Sequence, residues 1–221
     1  MPELVDREQD EQRLALMLLL MFESESMGFW LQGLKSPEVF SRKIRELGMQ
    51  NNLLDMSIRV RNNMLSDLRY EIDAIATNRR MAALAEQYRF ELATRLSYRH
   101  QEWLQEQTRA GADRARRRRA GESVQDPRLE WRDIYSDADA AREAATAVTN
   151  WVSRVEMDIR DSIEDMNGIT VVGVWNTEPG ACPVCAPLHK TTEDKWRSKF
   201  RTGPPAHPNC RCSLQWRELI E

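Results

Sequence analysis

The residues best suited to chemistry are four cysteines and a histidine near the C-terminal end. Cys182 and Cys185 form one knuckle in "ACPVC"; Cys210 and Cys212 form a second in "GPPAHPNCRC", with 24 residues between Cys185 and Cys210. The rest of the 221 residues contains no cysteine. A Cys-x2-Cys turn lets two thiolates converge on one ion, and zinc accepts four such ligands tetrahedrally without an electronic preference of its own. His207-x2-Cys210 repeats the spacing of the first pair, so either His207 or Cys212 completes a set with Cys182, Cys185 and Cys210. His189 is a further candidate. Pro183 stiffens the first knuckle, and Pro204, Pro205 and Pro208 restrict the chain entering the second, which lowers the entropy lost when distant ligands meet.

Three other chemistries use similar residues. A disulfide framework belongs to oxidising compartments. The N-terminal stretch "MPELVDREQDEQR" is acidic and polar and does not read as a secretory signal, so reduced thiols or a metal are expected instead. A thioredoxin-like motif places its thiol at a helix N-terminus, whereas here Pro187 follows almost at once and the later cysteines would have no role. Zinc deaminases pair His-x-Glu with Pro-Cys-x2-Cys. This chain has no His-x-Glu, its proline lies inside the knuckle, and four protein ligands would leave no position open for water. The expectation is a structural zinc site.

The elements that must position this site follow from proline, glycine and apolar spacing. From Met49 to Ala110 there is neither proline nor glycine, while six of the nine prolines lie between residues 179 and 208. This predicts a helical body followed by a compact, turn-rich module. "SPEVFSRKIREL" opens with Ser36 as N-cap and Pro37 at the first helical position, and stops at Gly48. Leu54, Ile58, Leu65, Leu68, Ile72 and Ile75 then recur at helical spacings, continued by Leu84, Tyr88, Leu92 and Leu96. Residues 49–110 form either one helix of about 90 Å or two, with a break near "ATNRR". The apolar run from Leu14 to Phe22 is shorter than the roughly 20 residues a bilayer span needs, and reads as a buried or partner-facing helix.

An arginine cluster, Arg114 and Arg116 to Arg119, lies in "TRAGADRARRRRAGESVQDP" with two glycines and a proline. Residues 111–135 therefore read as a solvated connector, whose arginines offer contacts to nucleic acid or an acidic partner. Residues 136–167 form an amphipathic helix: Ala144, Val148, Trp151, Val155, Ile159, Ile163 and Met166 make one stripe, Asp137 or Asp139 caps the start, and Gly168 ends it. "ITVVGVW" then reads as a strand. The resulting class is mainly α, with long amphipathic helices over 1–110, the connector, the 136–167 helix, and a small α+β module over 168–221. That proline-rich, β-containing module has 54 residues, too few to bury a self-sufficient core without a staple such as zinc.

Charge excludes little. There are 32 basic and 35 acidic residues, and only five of the basic ones are lysine. Arginine excess suits protein interfaces and DNA alike.

The run "VWNTEPGACPVCAPLHKTTEDKW…GPPAHPNCRCSLQW" resembles the C-terminal domain of phage head morphogenesis proteins, the minor head proteins similar to protein F of phage Mu. In that family a Trp-x-Thr element, here Trp175, Asn176 and Thr177, precedes a Cys-x2-Cys pair. A variable loop, a Pro-Pro-x-His-Pro-x-Cys-Arg-Cys motif and a final apolar strand, here with Leu214 and Trp216, follow. The resemblance covers about 45 residues and extends more weakly to about 80 through the helix containing Arg154 and Glu156. Family members often carry glycine in a Cys-x-x-Leu-x-Gly stretch after the first pair, where this chain has "CAPLHKTT"; a different turn is expected there.

The resemblance implies a virion assembly component without catalytic activity, placed in the head or at the portal vertex and in the host cytoplasm during assembly. Portal protein and other head proteins would be its partners, in several copies per particle, with no membrane. Two alternatives follow other features. One is a zinc-containing DNA-binding module acting in packaging or delivery, with Arg197, Lys199, Arg201 and Arg211 on its surface. The other is a nuclease- or toxin-like enzyme with His207 as general base.

Overall fold

The computed structural model describes residues 4–23, 37–125, 135–208 and 210–219. Among them are six α-helices: α1 (Leu4–Glu23), α2 (Pro37–Glu46), α3 (Met49–Leu68), α4 (Ala74–Arg119), α5 (Asp137–Asn167) and the short α6 (Glu193–Trp196). Two strands, β1 (Val171–Asn176) and β2 (Ser213–Glu218), pair antiparallel with Gly173 opposite Trp216 and Trp175 opposite Leu214. The class is the one expected: mainly helical, with a small two-stranded module near the C-terminus.

The α5 stripe explains the assembly. Ala144, Val148, Trp151, Val155, Ile159 and Ile163 are fully buried, and α1, α3 and α4 all pack against this helix, while α2 packs on α4. Met166, assigned to the same stripe, is 58% exposed. Ser136 rather than Asp137 or Asp139 is the N-cap of α5; its hydroxyl accepts from the Asp139 N–H while the Asp139 carboxylate accepts from the Ser136 N–H. Asp139 is thus the second half of a capping box. Gly168 ends the helix in the left-handed conformation, as expected.

Residues 49–110 are not one helix. The break lies at residues 69–73, ahead of the expected "ATNRR": Arg69 is left-handed and caps α3, and the Asp73 carboxylate accepts from the N–H groups of Ile75 and Ala76 to start α4. The strongest stop and start signals were therefore a polar pair, with no glycine or proline. In α3 the buried face is Met49, Leu53, Met56 and Met64, whereas Ile58 is 43% exposed. Ile75 is exposed too, at the first turn of α4. Leu84 is half-buried and Tyr88, Leu92 and Leu96 are buried as the pattern required.

The arginine cluster is corrected. α4 continues through Gly111 to Arg119, so residues 111–119 belong to a helix of about 69 Å. One glycine costs a helix only about 1 kcal/mol, too little to end one so long. Arg116 to Arg119 occupy its last turn, where cations oppose the negative end of the helix dipole. Arg117 pairs with Glu122 at 2.6 Å and Arg118 donates to the Val124 carbonyl, folding the chain back over the helix end. Ser36 and residues 126–134 of the expected connector lie outside the described residues.

The apolar run of α1 divides by face. Leu14, Leu18 and Met21 are buried against α5 and its neighbours, while Leu16 and Leu20 are exposed. No helix among the described residues is long and apolar enough to cross a membrane.

Candidate metal centre

A second, smaller core lies beyond α5: Trp175, Cys185, Trp196, Cys210, Cys212 and Leu214, with Met157, Leu188 and Phe200 packed against it. The Trp175 ring meets Trp196 edge-on at 5.7 Å and Phe200 at 5.4 Å. Three of the six buried side chains are thiols, so apolar burial alone offers this core little.

Cys182, Cys185, His207, Cys210 and Cys212 converge here. The donor atoms form two groups of three, Cys182–Cys185–His207 and Cys185–Cys210–Cys212, each within 4.8 Å and sharing Cys185. They constitute a cluster able to hold a metal ion. All four cysteines are free of disulfides. Cys185 Sγ lies 3.8 Å from Cys210 Sγ, which matches the edge of a tetrahedron with zinc–sulfur bonds of about 2.3 Å. His207 Nε2 lies 2.9 Å from Cys182 Sγ and 3.2 Å from Cys185 Sγ. Its Nδ1 is 2.7 Å from the Pro208 carbonyl, which only accepts, so Nδ1 carries the proton and the Nε2 lone pair is left to face the thiols. That is how ligating histidines are oriented.

Local chain geometry builds each knuckle. The N–H groups of Cys185 and Ala186 donate to the Cys182 carbonyl, closing the first turn, and a 3-10 helix (Ala186–Leu188) follows. Main-chain N–H groups of Cys185 and Val184 hold the Cys182 thiol below its ordinary range. Burial pushes Cys185 up to about 12. Cys210 is drawn down to about 5, first by the Cys212 thiol and further by main-chain N–H groups, and Cys212 rises as the donor of that pair. Gly203 (φ 75°) permits the approach of the second knuckle, since a Cβ there would stand 2.8 Å from Leu214 Cδ1.

The Trp175-Asn176-Thr177 element frames the loop between the knuckles. Trp175 exchanges main-chain hydrogen bonds with Lys190 and Thr191, Asn176 accepts from Lys190 Nζ at 2.9 Å, and the Thr177 N–H donates to His189 Nδ1. His189 therefore serves the loop and stays apart from the thiol cluster. Lys190 adopts φ 61°, the left-handed backbone that glycine favours. A non-glycine residue pays roughly 1–2 kcal/mol for that conformation. Lys190→Gly is expected to raise stability by up to about 1 kcal/mol net, and Lys190→Val to lower it, both read from urea unfolding.

Arg160 ties this module to α5. It is 5% exposed, pairs with Glu193 at 2.9 Å, and its guanidinium lies 5.7 Å from the Trp216 ring. Glu193 also accepts from the Gly173 N–H and from Arg197. Arg160 lies off the apolar stripe of α5, and only the partner 33 positions later shows why it is buried.

Glu156 sits on the neighbouring turn. Part of its side chain reaches solvent, but Oε2 is enclosed without a hydrogen-bond partner. Burial raises its carboxyl to about 8, opposed by Trp216 and by Arg7. An unfolded glutamate titrates near 4.3, so between those values the folded chain holds a proton that the unfolded chain lacks. Stability then falls as pH rises through that window. Glu156→Gln is expected to unfold like the wild type near pH 4 and to be more stable by ~2 kcal/mol or more at pH 8. Urea titrations of both proteins across that range measure the difference, in which any shared metal effect cancels.

Of the surface cations that could face DNA, Arg211 pairs with Glu11 and Arg197 with Glu193, while Lys199 and Arg201 are exposed. Arg114 and Arg116 to Arg119 lie at the far end of α4, beyond Trp103, its last buried residue, and belong to a different part of the fold from the cysteines. No protein-family model, curated protein or solved structure matches the chain.

Proposed function

We propose that this chain is a phage minor head protein, a non-enzymatic assembly component whose C-terminal module is closed by one structural zinc ion. The observation that carries the reading is the convergence of five donors from two proline-flanked knuckles. The residues that bear the resemblance to minor head proteins, from Trp175 through Cys182, Cys185, His207, Cys210 and Cys212 to Trp216, are also those that build and frame this cluster. Cys182, Cys185, Cys210 and His207 are the ligand set: the His207 tautomer presents Nε2 to the first pair. Cys212 supports Cys210 from behind. Four protein ligands close the ion to water, so it staples and does not catalyse.

The helical body is the docking part, for the portal protein or other head proteins at the vertex or capsid interior. Purified particles are expected to contain this chain in a small fixed ratio to portal protein, counted by quantitative mass spectrometry. Purified chain is expected to hold one zinc, with His207→Ala losing it and Cys212→Ser retaining it. A chain without metal, with four thiols freely alkylated under native conditions, would overturn the zinc reading; absence from particles would overturn the head-protein reading.

One observation favours contact with DNA as well. The last 16 residues of α4 contain no buried side chain and end in four arginines. Binding of duplex DNA that weakens steeply with salt, and less so in a variant with those four arginines replaced by glutamine, would support this role. Absence of binding at low salt would remove it.

A further inference from the structure

The second knuckle is held by the opposite end of the chain. The Arg7 guanidinium, on α1, donates to the carbonyls of Cys210 and Arg211, each at 3.2 Å, and contacts the Thr149 hydroxyl on α5. Thr149 Oγ1 itself lies 2.8 Å from the Cys210 carbonyl and 2.8 Å from that of Ala145, with one proton to share between the two acceptors. Glu11, one turn along α1 and 8% exposed, accepts from Arg7 at 3.1 Å and from Arg211 at 3.2 Å. Residues 210–212 lie in no helix or strand; besides the Cys210 N–H, which donates to the His207 carbonyl, these side chains and the metal cluster fix them.

We infer that metal occupancy and docking of the first turns of α1 are one linked equilibrium, with Arg7 as a positioning residue of the centre. This rests on the metal reading above. The two halves of α1 are held differently. Leu14, Leu18 and Met21 bury the second half, whereas residues 7–13 are held by polar groups: Arg7 and Glu11 on the knuckle, Asp10 on Arg59 at 2.6 Å, and Arg13 on Asn52 at 3.2 Å. An ion that fixes Cys210 fixes the two carbonyls that Arg7 grips. When the ion leaves, the knuckle loses its anchor and the polar half of α1 loses its main target, while the apolar half stays seated. Coupling of this kind is reciprocal, so a docked α1 strengthens metal binding by the same factor. Outer-shell partners of metal ligands typically contribute ten- to hundredfold in affinity.

Hydrogen–deuterium exchange on the full chain, zinc-loaded and chelator-stripped, tests this directly. Residues 4–13 are expected to exchange at least tenfold faster without zinc, with residues 144–163 of α5 unchanged. By chelator competition, Arg7→Ala is expected to bind zinc ten- to hundredfold more weakly at unchanged stoichiometry, and to shift the thiolate charge-transfer bands of the cobalt(II) form. Thr149→Val, which keeps the side-chain volume, is expected to weaken zinc in the same direction by a smaller factor. Equal exchange of residues 4–13 in the two forms, or wild-type zinc affinity in both variants, would overturn the linkage with the metal reading intact. A wild-type chain that takes up no zinc would overturn both, and the zinc content of the starting protein separates the two failures.

Discussion

Cys185→Ser is expected to abolish metal binding and to unfold the C-terminal module while the helices stay assembled. Cys185 is the donor common to both groups of three, is 1% exposed, and stands 3.2 Å from His207 Nε2 and 3.8 Å from Cys210 Sγ. Without it neither group keeps three donors, whereas Cys212 belongs to one group only. A structural zinc site contributes apparent folding free energy of about 10–16 kcal/mol at neutral pH in small domains. The core around Trp175 and Trp196 has little to offset such a loss, because half of its buried side chains are the thiols themselves. Zinc content per chain, together with the near-ultraviolet signal of Trp175 and Trp196, measures the outcome. Far-ultraviolet helicity should change little, since α1 to α5 enclose a separate cluster of buried side chains. Retention of one zinc by Cys185→Ser would contradict the assignment of Cys185 as a ligand.

Much of this architecture was legible in the sequence because it depends on local signals. The Ala144–Ile163 stripe, Gly168 as a helix end, the β-branched run from Val171, and the two knuckles each express themselves within a few residues. Departures occur where local signals are weak or compete. In α3 the flexible side chains of Met56 and Met64 fill the interior, and Ile58, which looked like the core residue, faces solvent. Gly111 looked like a break and is not one, while Arg69 and Asp73, which make the break, carry no strong punctuation. Lys190 accepts a left-handed backbone because Trp175, Asn176 and Thr191 secure both sides of the turn. Least legible were the long-range supports of the metal cluster. Arg7 meets Cys210 across 203 positions and Arg160 meets Glu193 across 33, and no periodicity within a helix names such a partner.

The other large effect lies in the helical body. Trp151→Ala is expected to destabilise the chain by about 3–5 kcal/mol, a large share of the 5–15 kcal/mol by which domains are ordinarily stable. Trp151 is fully buried at the point where three helices meet: its Nε1–H donates to the Leu53 carbonyl of α3 at 2.7 Å, and its ring lies 5.4 Å from that of Tyr88 on α4. Tyr88 in turn donates to the Ala147 carbonyl of α5 at 2.9 Å, so the cavity left by the indole would open beneath an interhelical hydrogen bond as well. Trp151→Phe separates the two contributions. It keeps most of the ring but removes the donor, and is expected to cost about 1–2 kcal/mol; the Leu53 carbonyl keeps its second partner, the Ser57 hydroxyl at 2.8 Å. Urea unfolding followed by helicity measures both variants. Zinc content of the chain that remains folded should be unaffected, because Trp151 belongs to the helical cluster and the ligands to the other. A loss below about 1 kcal/mol in Trp151→Ala would mean that the helices repack around the missing ring, and that α5 is not the element on which α1, α3 and α4 depend.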